Sequence, residues 1–217
     1  SAASDVYKRQ MKALFVFLFE RIRFERLLGL ACYPAFRYLF RKMGRGTTIS
    51  PFIYAIGLDC MSIGDRSRIS RNTRLLALKH YRDQTFKPEI EIGENVSVGF
   101  GCTLSCVNRI HIGDNVTIGD NVYIADSRHS YGDVESSILD QPLIPGQVSI
   151  GNGSWIGYGA FLAGNVTVGE HSVVGANSVV TRPVPPYTVV AGIPARPIKR
   201  FDVATQVWTR IEQPTKI

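Results

Sequence analysis

From Ile150 onward an aliphatic residue recurs at every sixth position: Ile150, Ile156, Leu162, Val168, Val174 and Val180. The same beat runs through Ile92, Val98 and Leu104, and again through Ile112, Ile118 and Ile124. Glycine follows most of these residues, as in Ile92-Gly93, Ile118-Gly119 and Val174-Gly175. Four places after each comes a small or β-branched residue, among them Val96, Cys102, Val116, Val122, Ser154, Ala160, Val166, Ser172 and Ser178. A helix repeats every 3.6 residues and an alternating strand every two, so a period of six marks a solenoid of very short strands. Three hexads predict one triangular coil of about eighteen residues, with the aliphatic residue pointing inward on each face. Glycine is expected to allow the tight corners, where φ turns positive. Successive coils stack at about 4.8 Å. A parallel α/β sheet would show apolar runs separated by helical stretches, and residues 90–185 contain none. The predicted class is all-β, a parallel β-helix.

The beat starts raggedly at Ile63 and Ile69 and breaks once on a large scale. After Ile124 an inward residue is due near position 130, yet the pattern resumes at Ile150. This predicts an inserted loop over residues 130–148, and long loops in compact domains usually serve function. A smaller irregularity falls at residues 81–87.

Outside the repeat, residues 1–10 are polar, precede Met11, and are set apart as a leader. Residues 11–45 are rich in Leu, Phe and Tyr and carry eight basic residues against Glu20 and Glu25, most of the chain's net charge of +7. They read as a basic amphipathic helical segment that caps the open end of the solenoid, split at Pro34. Peripheral contact of this segment with an anionic membrane surface stays open as a second reading. Its longest apolar run, residues 13–19, is far too short to span a bilayer. The β-helix is expected over 46–198 and a C-terminal helix or tail over 199–217. No nucleic-acid motif accompanies the basic charge, which sits at the ends of the chain. Cys32, Cys60, Cys102 and Cys106 lack metal-ligand spacing and suit a reducing compartment, which points to the cytoplasm. Cys102 falls in an inward small-residue slot and reads as core.

Of four histidines, His171 lies inside a regular hexad and His80 in the irregular stretch. His129 ends the hexad begun by Ile124, where the long loop departs. An imidazole there suits general-base work, because its ordinary pKa lies near neutrality. Asp126, three residues earlier, either orients that imidazole or ends the strand. His111, eighteen residues before His129, is expected at the same corner one coil earlier. Two histidines without a third ligand do not define a zinc site, so no metal is assigned. Trp155 and Tyr158 flank Ile156-Gly157 in the first coil after the loop, where they pack on a neighbouring coil or wall a cleft between subunits.

The segments Val148-Ser149-Ile150-Gly151, Trp155-Ile156-Gly157, Val174-Gly175-Ala176-Asn177-Ser178-Val179-Val180-Thr181 and Gly192-Ile193-Pro194-Ala195-Arg196 resemble the left-handed β-helix, hexapeptide-repeat acyltransferases. The branch they resemble contains the galactoside and maltose acetyltransferases and the lipopolysaccharide O-acetyltransferases. Asp126-Ser127-Arg128-His129 is similar to an Asp-His-Asn-His motif of the O-antigen enzymes, with only the second histidine kept, at His129. The resemblance implies left-handed crossovers, against the usual rule, and a homotrimer with its sites between subunits. It implies acetyl-CoA as co-substrate, lying along the coils. The backbone at Tyr158 and Ala176 would then face the thioester and pantetheine arm. Thr181 and Arg182 would lie near the far end of CoA, and Arg196 and Lys199 would meet its phosphates. The galactoside and maltose enzymes hold their acceptor sugar with an Asn and an Asp, whose places here are Gly99 and Val107, so a different acceptor is expected.

The expected activity is direct acetyl transfer to a sugar hydroxyl of a cell-surface polysaccharide or its precursor, with His129 as base and Asp126 beside it. Three rivals stand: an N-acetyltransferase on an amino sugar or antibiotic, a non-catalytic solenoid scaffold, and a metalloenzyme.

Overall fold

A computed structural model describes residues 32–212. Three parallel sheets form the faces of a triangular prism. Face 1 stacks Lys42–Met43, Met61–Ile63, Glu89–Ile92, Arg109–Ile112, Gln147–Ile150 and Val166–Val168. Face 2 stacks Thr48–Ile49, Arg68–Ile69, Ser97–Val98, Thr117–Ile118, Trp155–Ile156 and Val173–Val174 before reaching Thr188–Gly192. Face 3 stacks Tyr54–Ile56, Arg74–Ala77, Thr103–Cys106, Tyr123–Ala125, Phe161–Ala163 and Val179–Val180. The sixth-position residues lie in register down the prism, Ile92 on Ile112 on Ile150 on Val168 along face 1. They fill one continuous core, and each fully buried aliphatic side chain contributes about 1.5–3 kcal/mol. Where the small inward slot is polar, its hydroxyl turns to a neighbouring coil: Ser154 Oγ donates to the Gly169 carbonyl at 2.9 Å and Ser172 Oγ to the Pro185 carbonyl at 2.8 Å.

The glycines act differently from the expectation. Those that follow the inward aliphatic residue are not the positive-φ positions. That conformation falls two residues later, at Asn95, Gly101, Asn115, Asn121, Gly153, Gly159, His171 and Asn177. Asn tolerates the left-handed region better than most side chains. The glycine itself is required by close approach. A Cβ on Gly157 would lie 2.7 Å from both the Ala176 nitrogen and the Val174 oxygen of the next coil.

Coil length also departs from eighteen. Ile150 to Val168 spans 18 residues, but Ile92 to Ile112 spans 20, Ile63 to Ile92 spans 29 and Ile112 to Ile150 spans 38. The extra residues all enter between face 3 and face 1, so every irregularity collects along one edge of the prism. In the second coil the excess forms a small ribbon, His80–Tyr81 antiparallel to Gln84–Thr85. In the fourth, Ser127–His129 leaves antiparallel to Leu143–Pro145. The excursion therefore closes at Pro145 and face 1 resumes at Gln147, earlier than the loop over 130–148 predicts.

At the N-terminal end, residues 32–39 are helical. Phe40 is buried in the core, and Tyr33 and Phe36 pack against it. The leader and most of segment 11–45 lie outside the described residues. The expected C-terminal helix is not formed across residues 199–210. Ala195–Asp202 turns back antiparallel on Thr188–Gly192, and Val207–Arg210 adds to Ala195–Asp202. The open sheet edge at Thr188–Gly192 presents backbone donors and acceptors that demand partners, and this ribbon supplies them. Its aromatic residues continue a column at the edge between faces 1 and 2. His171 stacks on Tyr187 at 5.3 Å, Tyr187 on Phe201 at 6.2 Å, and Phe201 meets Trp208 at 5.2 Å. Among the described residues no helix is long and apolar enough to cross a membrane.

Candidate active site

The edge between faces 3 and 1 is built around Asp126, which is fully buried. Its Oδ1 accepts the Val107 N–H at 2.8 Å and its Oδ2 the Asn108 N–H at 2.7 Å. Its backbone carbonyl accepts the Gly146 N–H at 2.5 Å, and the Asn108 side-chain amide donates to the Gly146 carbonyl at 2.8 Å. Asp126 and Asn108 thus clasp the two feet of the excursion, where the chain leaves and re-enters the coil. The Cys106 thiol donates to the same carboxylate at 3.2 Å. Burial, with the Asp126 charge beside it, pushes that thiol above the ordinary cysteine range. Burial likewise pushes Cys102 up to about 11. Both thiols are held protonated and sit in the core, the wrong state and place for a nucleophile.

Of the two readings of Asp126, this geometry supports the structural one: its carboxylate is committed to backbone donors and a thiol of the preceding coil, and among the described residues no hydrogen bond joins it to His129. The expected stacking of His111 on His129 is corrected. His111 lies in register between Glu91 and Ser149 on face 1, because the excursion shifts the next coil by twenty residues. His111 Nδ1 stands 3.5 Å from Glu91 Oε2. The Glu91 carboxyl is held below its usual range chiefly by the Arg109 guanidinium at 2.8 Å.

His129 sits in the outgoing strand opposite Leu143. Tyr81 presents its ring to it at 5.6 Å and 71°. His129 Nδ1 is sealed from solvent with no hydrogen-bond partner among the described residues, which leaves Nε2 as the nitrogen able to meet a substrate. Val107, one of the two places where an acceptor-binding side chain was sought, is 1% exposed. It lies beneath this edge and is closed to an acceptor.

The other predicted residues divide between face 2 and the two edges of face 3. Trp155, 55% exposed on face 2, shares a row with Val173, Val189 and Lys199. Arg196 pairs with Ala191, two rows further along. Tyr158 and Ala176 follow at the edge between faces 2 and 3, where the Asn177 N–H donates to the Tyr158 carbonyl at 2.7 Å. Thr181 and Arg182 lie beyond Val179–Val180, across face 3, on the same edge as His129. Within one chain, His129 and Tyr158 are therefore separated by the width of face 3.

At four corners of the prism a side-chain oxygen of one coil caps the corner N–H of the coil before it. Asp65 caps Arg45, Asp114 caps Glu94, Asn152 caps Asp114 and Asp120 caps Phe100, each at 2.8 Å. Tyr158 stacks over Asp120 and Ala176 over Tyr158, and neither supplies a carboxylate or amide oxygen there. The N–H groups of Asp120 and Tyr158 lack this cap and can meet an outside acceptor atom.

Sequence reasoning missed Tyr81, Gln84 and Asn108. The irregular beat over residues 81–87 marked the segment, but no local pattern says that it meets the excursion two coils later. Among the described residues no group of three or more His, Cys, Asp or Glu could hold a metal ion.

Two family models match the repeat: bacterial transferase hexapeptide (six repeats) over residues 147–182 and hexapeptide repeat of succinyl-transferase over residues 89–125. A Schizosaccharomyces pombe chain that carries an acetyltransferase assignment is 34% identical over 157 residues, covering 66% of this chain and 74% of its own length. Galactoside O-acetyltransferase of Escherichia coli K12 is 34% identical over 118 residues, 54% of this chain and 57% of that one. The Escherichia coli K12 protein WbbJ, assigned as an O-acetyl transferase of lipopolysaccharide biosynthesis, is 31% identical, covering 56% of this chain and 76% of its own. Among solved structures, a hexapeptide-repeat acetyltransferase of Vibrio cholerae with acetyl-CoA bound is 26% identical with a TM-score of 0.54, covering 78% and 76% of the two chains. The Bacillus cereus N-acyltransferase AntD, solved with dTDP and coenzyme A, shares the fold at a TM-score of 0.66 and 19% identity, covering 80% and 90%. The repeat, the faces of the prism and these likenesses define the class: the chain belongs to the hexapeptide-repeat acyltransferase family. It is an acyltransferase.

Proposed function

We propose that this chain transfers an acetyl group from acetyl-CoA to a sugar hydroxyl of a cell-surface polysaccharide or its precursor, in the cytoplasm. His129 Nε2 takes the proton of the attacking hydroxyl. The hydroxyl oxygen adds to the thioester carbonyl, the tetrahedral intermediate collapses, and CoA leaves as the thiol with the proton returned from the imidazole. The uncapped N–H of Tyr158 stabilises the oxyanion. No covalent acetyl-enzyme forms, in keeping with two protonated core thiols.

The observation that carries this reading is the imidazole itself, held at the edge where the insertions collect, with Nδ1 sealed and Nε2 left to act. The acceptor class is supported by the likeness to galactoside O-acetyltransferase and WbbJ.

The working unit in this reading is a homotrimer of left-handed coils. One copy brings His129, and the next brings Tyr158 and Ala176 from its opposite edge and Trp155 from the adjoining face 2. The separation of these residues across face 3 supports the arrangement, since a groove between two copies brings them together. Arg196 and Lys199 meet the CoA phosphates.

A general base is worth about 10²–10⁴-fold. His129→Ala should lose that much turnover in a thiol-release assay while still binding CoA by calorimetry. Turnover near wild type would overturn the assignment. Running hydroxylated and aminated acceptors side by side decides between O- and N-transfer, and sedimentation decides the trimer.

A further inference from the structure

The two excursions at the edge between faces 3 and 1 come from different coils, yet they interlock. Tyr81 Oη donates to the Leu139 carbonyl at 2.7 Å, and Arg82 Nε donates to the same oxygen at 2.5 Å. Arg82 also pairs with Asp140. The Gln84 side chain donates to the Leu143 carbonyl at 3.1 Å and accepts the Leu143 N–H at 2.7 Å. That double exchange is what a neighbouring strand residue would make, so one amide side chain stands in for a third strand. Leu143 is the residue directly opposite His129.

A ribbon of three residue pairs is marginal by itself, and the chain between its strands is long. Left alone, the imidazole on it would wander. The imidazole also keeps Nδ1 buried without a partner among the described residues, a cost it would relieve by swinging into water. Two contacts oppose that swing. The Tyr81 ring lies edge-on to His129 and is fixed at its far end by the Leu139 carbonyl. Gln84 locks the strand across from it. Leu143, across from the imidazole, is itself buried.

We infer that Tyr81 and Gln84 are positioning residues for His129, and that the ribbon at residues 80–85 exists to hold the base in one orientation. The inference rests on the reading of His129 as the base. Neither residue needs to touch substrate. Both act through the imidazole and the strand that carries it.

Small misplacement of a catalytic group costs up to about 100-fold. Tyr81→Ala should therefore lower kcat by about 10- to 100-fold and Gln84→Ala by about tenfold, with KM for acetyl-CoA unchanged. Tyr81→Phe, which keeps the ring edge, should restore most of the loss. Loss of turnover in His129→Ala together with wild-type kcat in Tyr81→Ala and Gln84→Ala would overturn this inference and leave the base assignment standing. Full turnover in His129→Ala would overturn both. A rise in KM for acetyl-CoA parallel to the fall in kcat, or a Tyr81→Phe enzyme as slow as Tyr81→Ala, would also overturn it. If Tyr81→Ala fails to fold, Gln84→Ala and Tyr81→Phe still decide.

Discussion

Asp126 holds Asn108 by its backbone N–H at 2.7 Å, and Asn108 in turn holds Gly146 by its carbonyl at 2.8 Å. The pair ties the start of the excursion to its end across one corner of the prism. The aspartate near the candidate base is therefore a clasp for the chain that carries the base, one step removed from the imidazole.

Asp126→Asn keeps the shape but places a donor where backbone N–H groups point. Hydrogen bonds to a charged group contribute about 1.5–3 kcal/mol each, so chemical denaturation should show a loss of at least about that size. Turnover should fall as the feet of the excursion loosen, while the pH at which the rate rises stays where it is in the wild type. A shift of that pH would mean that Asp126 acts directly on the imidazole after all.

Gly157→Ala tests close approach apart from backbone strain. The added methyl would meet backbone atoms of the next coil, Ala176 N and Val174 O, both at 2.7 Å. Overpacking of this kind costs about 1–3 kcal/mol, visible as a lower midpoint in calorimetry. Because Tyr158 follows directly, turnover should fall more than stability alone accounts for.

Alkaline pH should weaken the fold through the core thiols. The Cys102 thiol is raised from 9.0 to about 11 in the folded chain. Between those values the unfolded chain gives up its proton and the folded chain keeps it. Stability is therefore full below pH 9 and declines through this window at up to about 1.4 kcal/mol per pH unit for each such thiol. Cys102→Ser should flatten that decline at little cost at neutral pH. Cys102 donates to the Gly119 carbonyl at 3.1 Å, the kind of contact Ser154 makes with Gly169. Denaturation midpoints measured from pH 7 to 11 check both statements.

Lys199→Ala and Arg196→Ala should raise KM for acetyl-CoA by about 3- to 10-fold, the yield of a partly exposed charge-assisted contact, with kcat little changed. Calorimetric titration with CoA against dephospho-CoA checks it. Equal affinity of the Lys199 and Arg196 variants and the wild type for CoA would remove these residues from the phosphate site.

The repeat was legible because every hexad obeys the same local rule. One inward aliphatic residue, one glycine and one small residue recur, and each coil touches only its neighbours. The C-terminal strands were not legible. Ala195–Asp202 and Val207–Arg210 are extended because an open edge at Thr188–Gly192 receives them, and no residue within them announces that partner. His129 stood out from its place at the interruption of the beat, whereas Tyr81 and Gln84 did not. Their significance lies in contacts 58 and 59 residues away, to Leu139 and Leu143.

The amino-acid sequence alone determined the prism, its inward columns and the point at which the chain leaves it, since these follow from short-range periodicity and hydrophobic burial. Only the tertiary structure decided what the polar residues along the edge do. It made Asp126 a clasp for the excursion, put Ser149 where His129 was expected beside His111, and brought the second coil's ribbon against the fourth coil's excursion. The physical reason is that a hydrogen bond depends on which atoms are brought within about 3 Å, and insertions of unequal length in stacked coils set those neighbours by geometry that no local pattern encodes.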